Sequence, residues 1–142
     1  MGGAHVVTPP EDATRAQRLQ VAIDVLREGK CLFVTPDTPR KTDAGVPVKL
    51  FGKTAYFPTG VQIMSMRTGA PIIPAWWRWD GKRYRIWYSE PIEIPRGGNL
   101  RTKAELAMQQ WAQDVDAFLH EHPAMWWNWL DKRWTRLLRQ TL

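Results

Sequence analysis

The chain has 142 residues, 44% of them hydrophobic and 24% charged, a balance that fits one globular domain and excludes a disordered chain. Twenty Lys and Arg against fourteen Asp and Glu leave a net charge of +6, so an anionic partner would be drawn in over several ångströms: a phospholipid headgroup, a lipopolysaccharide precursor or a nucleic acid. One cysteine excludes an internal disulfide and a thiolate zinc cluster, and no apolar run reaches the ~18 residues of a spanning helix.

In chain order, Thr8-Pro9-Pro10-Glu11 has the form of a capping box. Leu19, Ala22, Ile23 and Leu26 then recur at helical spacing until Gly29 stops the helix. Cys31 to Val34 is expected to be a short, fully apolar strand with a buried, inert thiol, the αβ alternation of a sheet covered on its faces. Arg40 to Gly45 is a polar loop. After Val46 to Phe51, Phe57-Pro58-Thr59-Gly60 makes a turn that opens a helix carrying Val61, Met64 and Ser65 and closed by Gly69.

Pro71 to Trp79 and Lys82 to Tyr88 are strand-like runs separated by Asp80-Gly81, a type I′ hairpin signal. Pro91 to Ile94 suits a further edge strand. Thr102-Lys103-Ala104-Glu105 is a second capping box. It precedes a stripe of Ala104, Ala107, Met108, Trp111, Val115, Phe118 and Leu119 that Pro123 breaks. The final segment, residues 124–142, is expected to be one Trp- and Arg-rich amphipathic helix with Trp127, Leu130, Trp134, Leu137 and Leu138 on one face.

Nine tryptophans are an excess, and two clusters hold most of them: Trp76-Trp77-Arg78-Trp79 and Trp126-Trp127-Asn128-Trp129, followed by Trp134. Tryptophan among arginines suits a membrane interface, where the ring sits at headgroup depth and the cation meets phosphate. On the helical stripes, Trp111, Trp127 and Trp134 are equally well explained as packing residues.

Four ordered elements resemble a known family. These are Leu26-Arg27-Glu28-Gly29-Lys30 before an apolar strand ending near Asp37, then Leu50-Phe51-Gly52-Lys53-Thr54-Ala55, then Arg67-Thr68-Gly69-Ala70-Pro71-Ile72-Ile73-Pro74. The last is His122-Pro123-Ala124-Met125-Trp126-Trp127 running to Lys132-Arg133-Trp134. Together, from about Arg15 to Trp134, they are similar to the C-terminal half of bacterial lysophospholipid and lipid A biosynthesis acyltransferases of the lauroyl and myristoyl type.

The resemblance implies an α/β fold, the C-terminal portion of a glycerolipid acyltransferase-like sandwich with a mixed, mostly parallel sheet, and residues 1–142 as a single partial domain. The Cys31 to Val34 strand would lie centrally, parallel to Ile72 to Ala75. It implies transfer of an acyl chain from acyl carrier protein or acyl-CoA to a hydroxyl of a lysophospholipid, lipid A precursor or other glycolipid, at the cytoplasmic face of the inner membrane. No metal or cofactor is expected.

Phe57-Pro58-Thr59-Gly60 stands where glycerophosphate relatives carry Phe-Pro-Glu-Gly for the acceptor phosphate, so Thr59 and Gly60 are candidate substrate residues. Unpaired N–H groups at a helix start suit an anion in any case. The plainer alternative is that Thr59 only caps the helix. Asp37 and Gly52 are candidates for shaping the pocket, and Asp37 between prolines is equally a turn former. Arg78 either meets phosphate or stacks on Trp76. Trp76, Trp77, Trp79, Trp126 and Arg133 are expected at the membrane surface.

Catalysis in the family uses a histidine with an acid five positions on, the base and its orienting carboxylate. Five positions after His5, His120 and His122 stand Pro10, Met125 and Trp127, so this dyad is absent and no catalytic residue is assigned. A chain lacking it is expected to be inactive alone. The rival reading is a basic, aromatic-rich module that binds anionic lipid or single-stranded nucleic acid without catalysis.

Overall fold

The computed structural model describes residues 9–40 and 45–139. The first helix, α1 (Arg15–Arg27), starts later than the Thr8 motif suggests, and Thr8 itself lies outside the described residues. Thr14 is the N-cap and forms a reciprocal capping box with Gln17. Gly29, at φ 76°, closes the helix as expected.

The strand expected at Cys31 to Val34 does not form. Residues 31–40 form no strand, and the Arg40 N–H donates to the Tyr56 carbonyl at 2.7 Å. Cys31 is exposed, and so are Phe33 and Val34, so the expected buried thiol is corrected too. An apolar run supplies propensity, but a strand needs a free neighbouring edge. On the first hairpin the outer edge of residues 46–50 is closed: Pro47 has no N–H, and the Gln109 side-chain amide bonds both the N–H and the carbonyl of Lys49, at 2.9 and 3.1 Å, so the segment meets only the opposite edge, and only at Arg40.

That hairpin joins β1 (Val46–Leu50) to β2 (Lys53–Phe57), antiparallel, through the two-residue turn Phe51-Gly52. Both turn residues have positive φ, 53° and 69°, as a type I′ turn requires. Val46, Val48 and Leu50 alternate inward with Ala55 and Phe57. They pack on α3 (Leu100–Glu121), where Ala104, Ala107, Met108, Ala112, Val115 and Leu119 form the buried stripe and the small alanines permit a close approach. The cap of α3 is Asn99, which accepts from the Thr102 N–H at 2.9 Å, and not the Thr102 box.

Between the sheets lies α2 (Gly60–Thr68), opened and closed where the sequence indicates, with Gly69 in the left-handed region at φ 75°. It packs on both α1 and α3. A second antiparallel hairpin joins β3 (Ala75–Trp79) to β4 (Tyr84–Tyr88). Its loop runs over residues 80–83 and is not the expected type I′ turn. Asp80 accepts from the Lys82 and Arg83 N–H groups at 3.0 and 2.9 Å, and only Gly81 has positive φ. Ile72 meets Ile92 in one isolated antiparallel bridge.

The chain is therefore mixed α/β, but its sheets are two antiparallel hairpins, and the parallel pairing of Cys31 to Val34 with Ile72 to Ala75 is not formed. Nor is 124–142 one helix. Two short 3₁₀ turns, Pro123–Met125 and Trp127–Leu130, precede α4 (Lys132–Arg139), and Trp127 and Leu130 stand exposed. Residues 140–142 lie outside the described residues.

Candidate functional site

The C-terminal aromatic segment folds back over the first hairpin and closes on Asp37. One carboxylate oxygen of Asp37, Oδ2, accepts from Trp126 Nε1 at 3.1 Å and from Asn128 Nδ2 at 2.5 Å. The Asp37 backbone carbonyl accepts from Trp134 Nε1 at 2.8 Å. All three donor side chains are buried, so each bond answers a polar group that has left water. Three residues on, the Arg40 bond to Tyr56 ties the same stretch to the outer edge of β2.

The rings supporting this clamp are in mutual contact. Trp126 lies 4.8 Å from Trp134 and 4.7 Å from Trp129, while Phe51 lies 5.4 Å from Trp126 and Phe57 lies 5.8 Å from Trp134. The positive φ of Phe51 turns its ring onto this cluster, and Gly52 supplies the second left-handed turn position at no steric cost. Gly52 thus stands in the β1–β2 turn, and the Asp37 oxygen Oδ2 is engaged by the C-terminal segment.

Thr59 is the N-cap residue of α2, half-buried, but its hydroxyl makes no cap hydrogen bond. The first-turn N–H groups of α2 thus lack a side-chain cap, the condition under which a helix start favours an anion. Gln62, in that same turn, was not singled out from the sequence. It is 3% exposed, and its Oε1 has no hydrogen-bond partner among the described residues. Only an orphaned buried oxygen marks it, and no sequence pattern does.

Arg78 is exposed on β3. Its guanidinium lies 5.7 Å from the Trp87 ring centroid, not on Trp76 as expected, and its Nη1 is 3.4 Å from His122 Nε2. Trp76 is partly buried, with Nε1 donating to Ser89 Oγ at 2.7 Å and its ring 4.8 Å from Phe118. Of the residues expected at a membrane surface, Trp77 and Trp79 are exposed, whereas Trp126 is 7% exposed and belongs to the clamp. Arg133 is exposed and bonds the Asp131 carboxylate, holding the Asp131 pKa down at about 2. Among the described residues no hydrogen bond or ion pair joins Asp37 to Thr59, Gly60 or Arg78.

A further carboxylate that the sequence reading missed is Asp114. It lies in a shallow pocket of about 210 Å³ with Trp76, Trp87, Ser89 and Phe118, and burial raises its pKa. His120 Nδ1 lies 2.7 Å from the Asp116 carbonyl and 3.5 Å from its carboxylate, and His122 packs on Phe118. Neither is bonded to the Asp37 or Thr59 regions, and His5 lies outside the described residues. Among the described residues no three His, Cys, Asp or Glu side chains are grouped to hold a metal.

The family model for bacterial lipid A biosynthesis acyltransferases matches residues 5–136. No match was found among curated proteins.

Proposed function

The chain belongs to the bacterial lipid A biosynthesis acyltransferase family. From that premise we propose that it takes part in moving an acyl chain from acyl carrier protein or acyl-CoA to a hydroxyl of a lipid A precursor, lysophospholipid or other glycolipid. The observation that carries this reading is the family match over residues 5–136.

In such a reaction the acceptor oxygen attacks the thioester carbonyl, its proton passes to a base, and the thiolate leaves and is protonated. The part we assign to this chain is on the acceptor side. The uncapped first turn of α2, from Thr59 and Gly60 to Gln62, would hold the acceptor's anionic group through backbone N–H groups. The Asp37 clamp would keep the C-terminal aromatic segment fixed beside β1 and β2, as a positioning device. The base is not assigned to His120 or His122, since neither has an acid at the family's spacing.

We place the chain peripherally on the cytoplasmic face of the inner membrane, where the acceptor lipid would be met. Calorimetric titration with a phosphorylated lipid acceptor in detergent, and with the same acceptor dephosphorylated, tests the anion role. Binding that depends on the phosphate is expected, and equal binding of both would overturn it. In a labelled acyl-transfer assay the chain alone is expected to show no turnover. Turnover lost in His120→Ala or His122→Ala would show that one of them is the base and overturn this reading.

A further inference from the structure

The β3–β4 hairpin has two unlike faces. By its register Trp76 pairs with Trp87 and Arg78 with Arg85 on one face, while Trp77 pairs with Ile86 and Trp79 with Tyr84 on the other, with Tyr88 beside them. The two tryptophans of the first face pack against α3, 4.8 and 5.7 Å from Phe118, while its Arg78 and Arg85 remain exposed. The second face carries five large side chains, Trp77, Trp79, Tyr84, Ile86 and Tyr88, each between 47% and 69% exposed. A contiguous apolar face of this kind on a hairpin is a contact surface and not ordinary surface scatter.

Two features select its occupant. Its rings are two tryptophans and two tyrosines, apolar bodies with one polar tip, which suit the depth where headgroups meet acyl chains. Across 75–88 the charges are Arg78, Lys82, Arg83 and Arg85 against Asp80, which is four minus one, or +3. Asp80, the single acid, is bonded by the Arg85 guanidinium and by the Lys82 and Arg83 N–H groups, with the Arg83 guanidinium 4.0 Å from its carboxylate, so the acid is matched within the hairpin and the net charge at the end of the apolar face is positive.

We propose that this outer face, with Lys82 and Arg83 at its loop, docks the chain on an anionic phospholipid surface, the rings entering the interface and the cations meeting phosphate. The choice of occupant rests on the reading of the chain as acting on lipid. Docking is measured without donor or acceptor, so its failure is separate from failure of the transfer reading.

The test is sedimentation of the full chain with phosphatidylcholine vesicles and with vesicles also containing phosphatidylglycerol. Binding is expected only with the anionic lipid. It should weaken as salt rises, because exposed charge attraction is screened beyond about 10 Å at 0.1 M. Trp79→Ala with Tyr84→Ala should weaken it by about tenfold or more, with the circular dichroism spectrum unchanged, since both rings leave the interface. Lys82→Glu with Arg83→Glu should flatten the salt dependence.

Should the alanine pair fail to fold, Trp77→Phe with Trp79→Phe keeps the face apolar. It should still bind but lose most quenching of tryptophan fluorescence by brominated lipid. Undiminished quenching in that variant, undiminished binding in the alanine pair, or equal binding to neutral vesicles would each overturn the assignment. Tighter binding of single-stranded DNA than of anionic lipid, abolished by the same substitutions, would overturn it in favour of base stacking.

Discussion

Replacing Asp37 with alanine removes the acceptor of two buried donors, Trp126 Nε1 and Asn128 Nδ2, and leaves both inside the fold. An orphaned buried donor costs about 1–3 kcal/mol. Asp37 is itself partly exposed, so water reaches part of the gap and the lower half of the range applies. The expected loss is about 2–4 kcal/mol for the pair. The Trp134 bond goes to the backbone carbonyl of residue 37 and survives the substitution.

Asp37→Asn is the control. Both donors use the one oxygen Oδ2, so an amide oxygen in its place still receives both. Only the charge is lost, which should cost about 1 kcal/mol, the difference between charged and neutral hydrogen bonds. In urea unfolding followed by circular dichroism, a slope of about 2 kcal/mol/M puts the alanine midpoint about 1–2 M lower and the asparagine midpoint about 0.5 M lower. An alanine variant within about 0.5 kcal/mol of the parent chain, or an asparagine variant less stable than alanine, would refute the clamp.

Three further outcomes follow from single residues. A Cβ on Gly45 would stand 2.5 Å from the Phe57 carbonyl oxygen and 2.9 Å from its N and C, all backbone, so Gly45→Ala should cost about 1–3 kcal/mol in the same urea experiment. The Asp131 carboxyl should titrate by NMR at about 2, and Arg133→Ala should return it towards 3.8. Because its folded pKa is the lower one, the stability it lends is present above 3.8 and is lost as pH falls towards 2. Asp114 has the opposite sign: burial raises its folded pKa, so it costs stability as pH rises above the ordinary carboxyl value of 3.8. Asp114→Asn should raise the melting temperature at pH 7 and leave it unchanged at pH 3, measured by calorimetry.

What the sequence disclosed was local. Gly29 and Gly69 end their helices, the α3 stripe is buried at its helical spacing, and turn chemistry located the β3–β4 hairpin, because each depends on a few adjacent residues. Features that depend on distant partners were not legible. The clamp joins Asp37 to Trp126, Asn128 and Trp134 across 89, 91 and 97 residues, and no spacing rule spans such separations.

For the same reason Cys31 to Val34 has the composition of a strand but pairs with no neighbouring strand. Trp127 and Leu130 match a helical face, yet the chain turns in 3₁₀ fashion through them and leaves both exposed. The type I′ turn at Phe51-Gly52 was missed because its first position is a phenylalanine, which the usual Asn-Gly or Asp-Gly signal omits. Of the candidate site residues, Thr59 and Gly60 were proposed from the Phe-Pro-x-Gly resemblance, whereas Gln62 is visible only through its unpaired buried oxygen.

The acceptor-side role of α2 is tested most directly by amide chemical shifts on titrating the chain with a phosphorylated lipid acceptor. The largest shifts are expected at the Gly60, Val61 and Gln62 N–H groups, and none there with the dephosphorylated acceptor. Shifts that spare the first turn of α2, or that appear there equally with both acceptors, would contradict it.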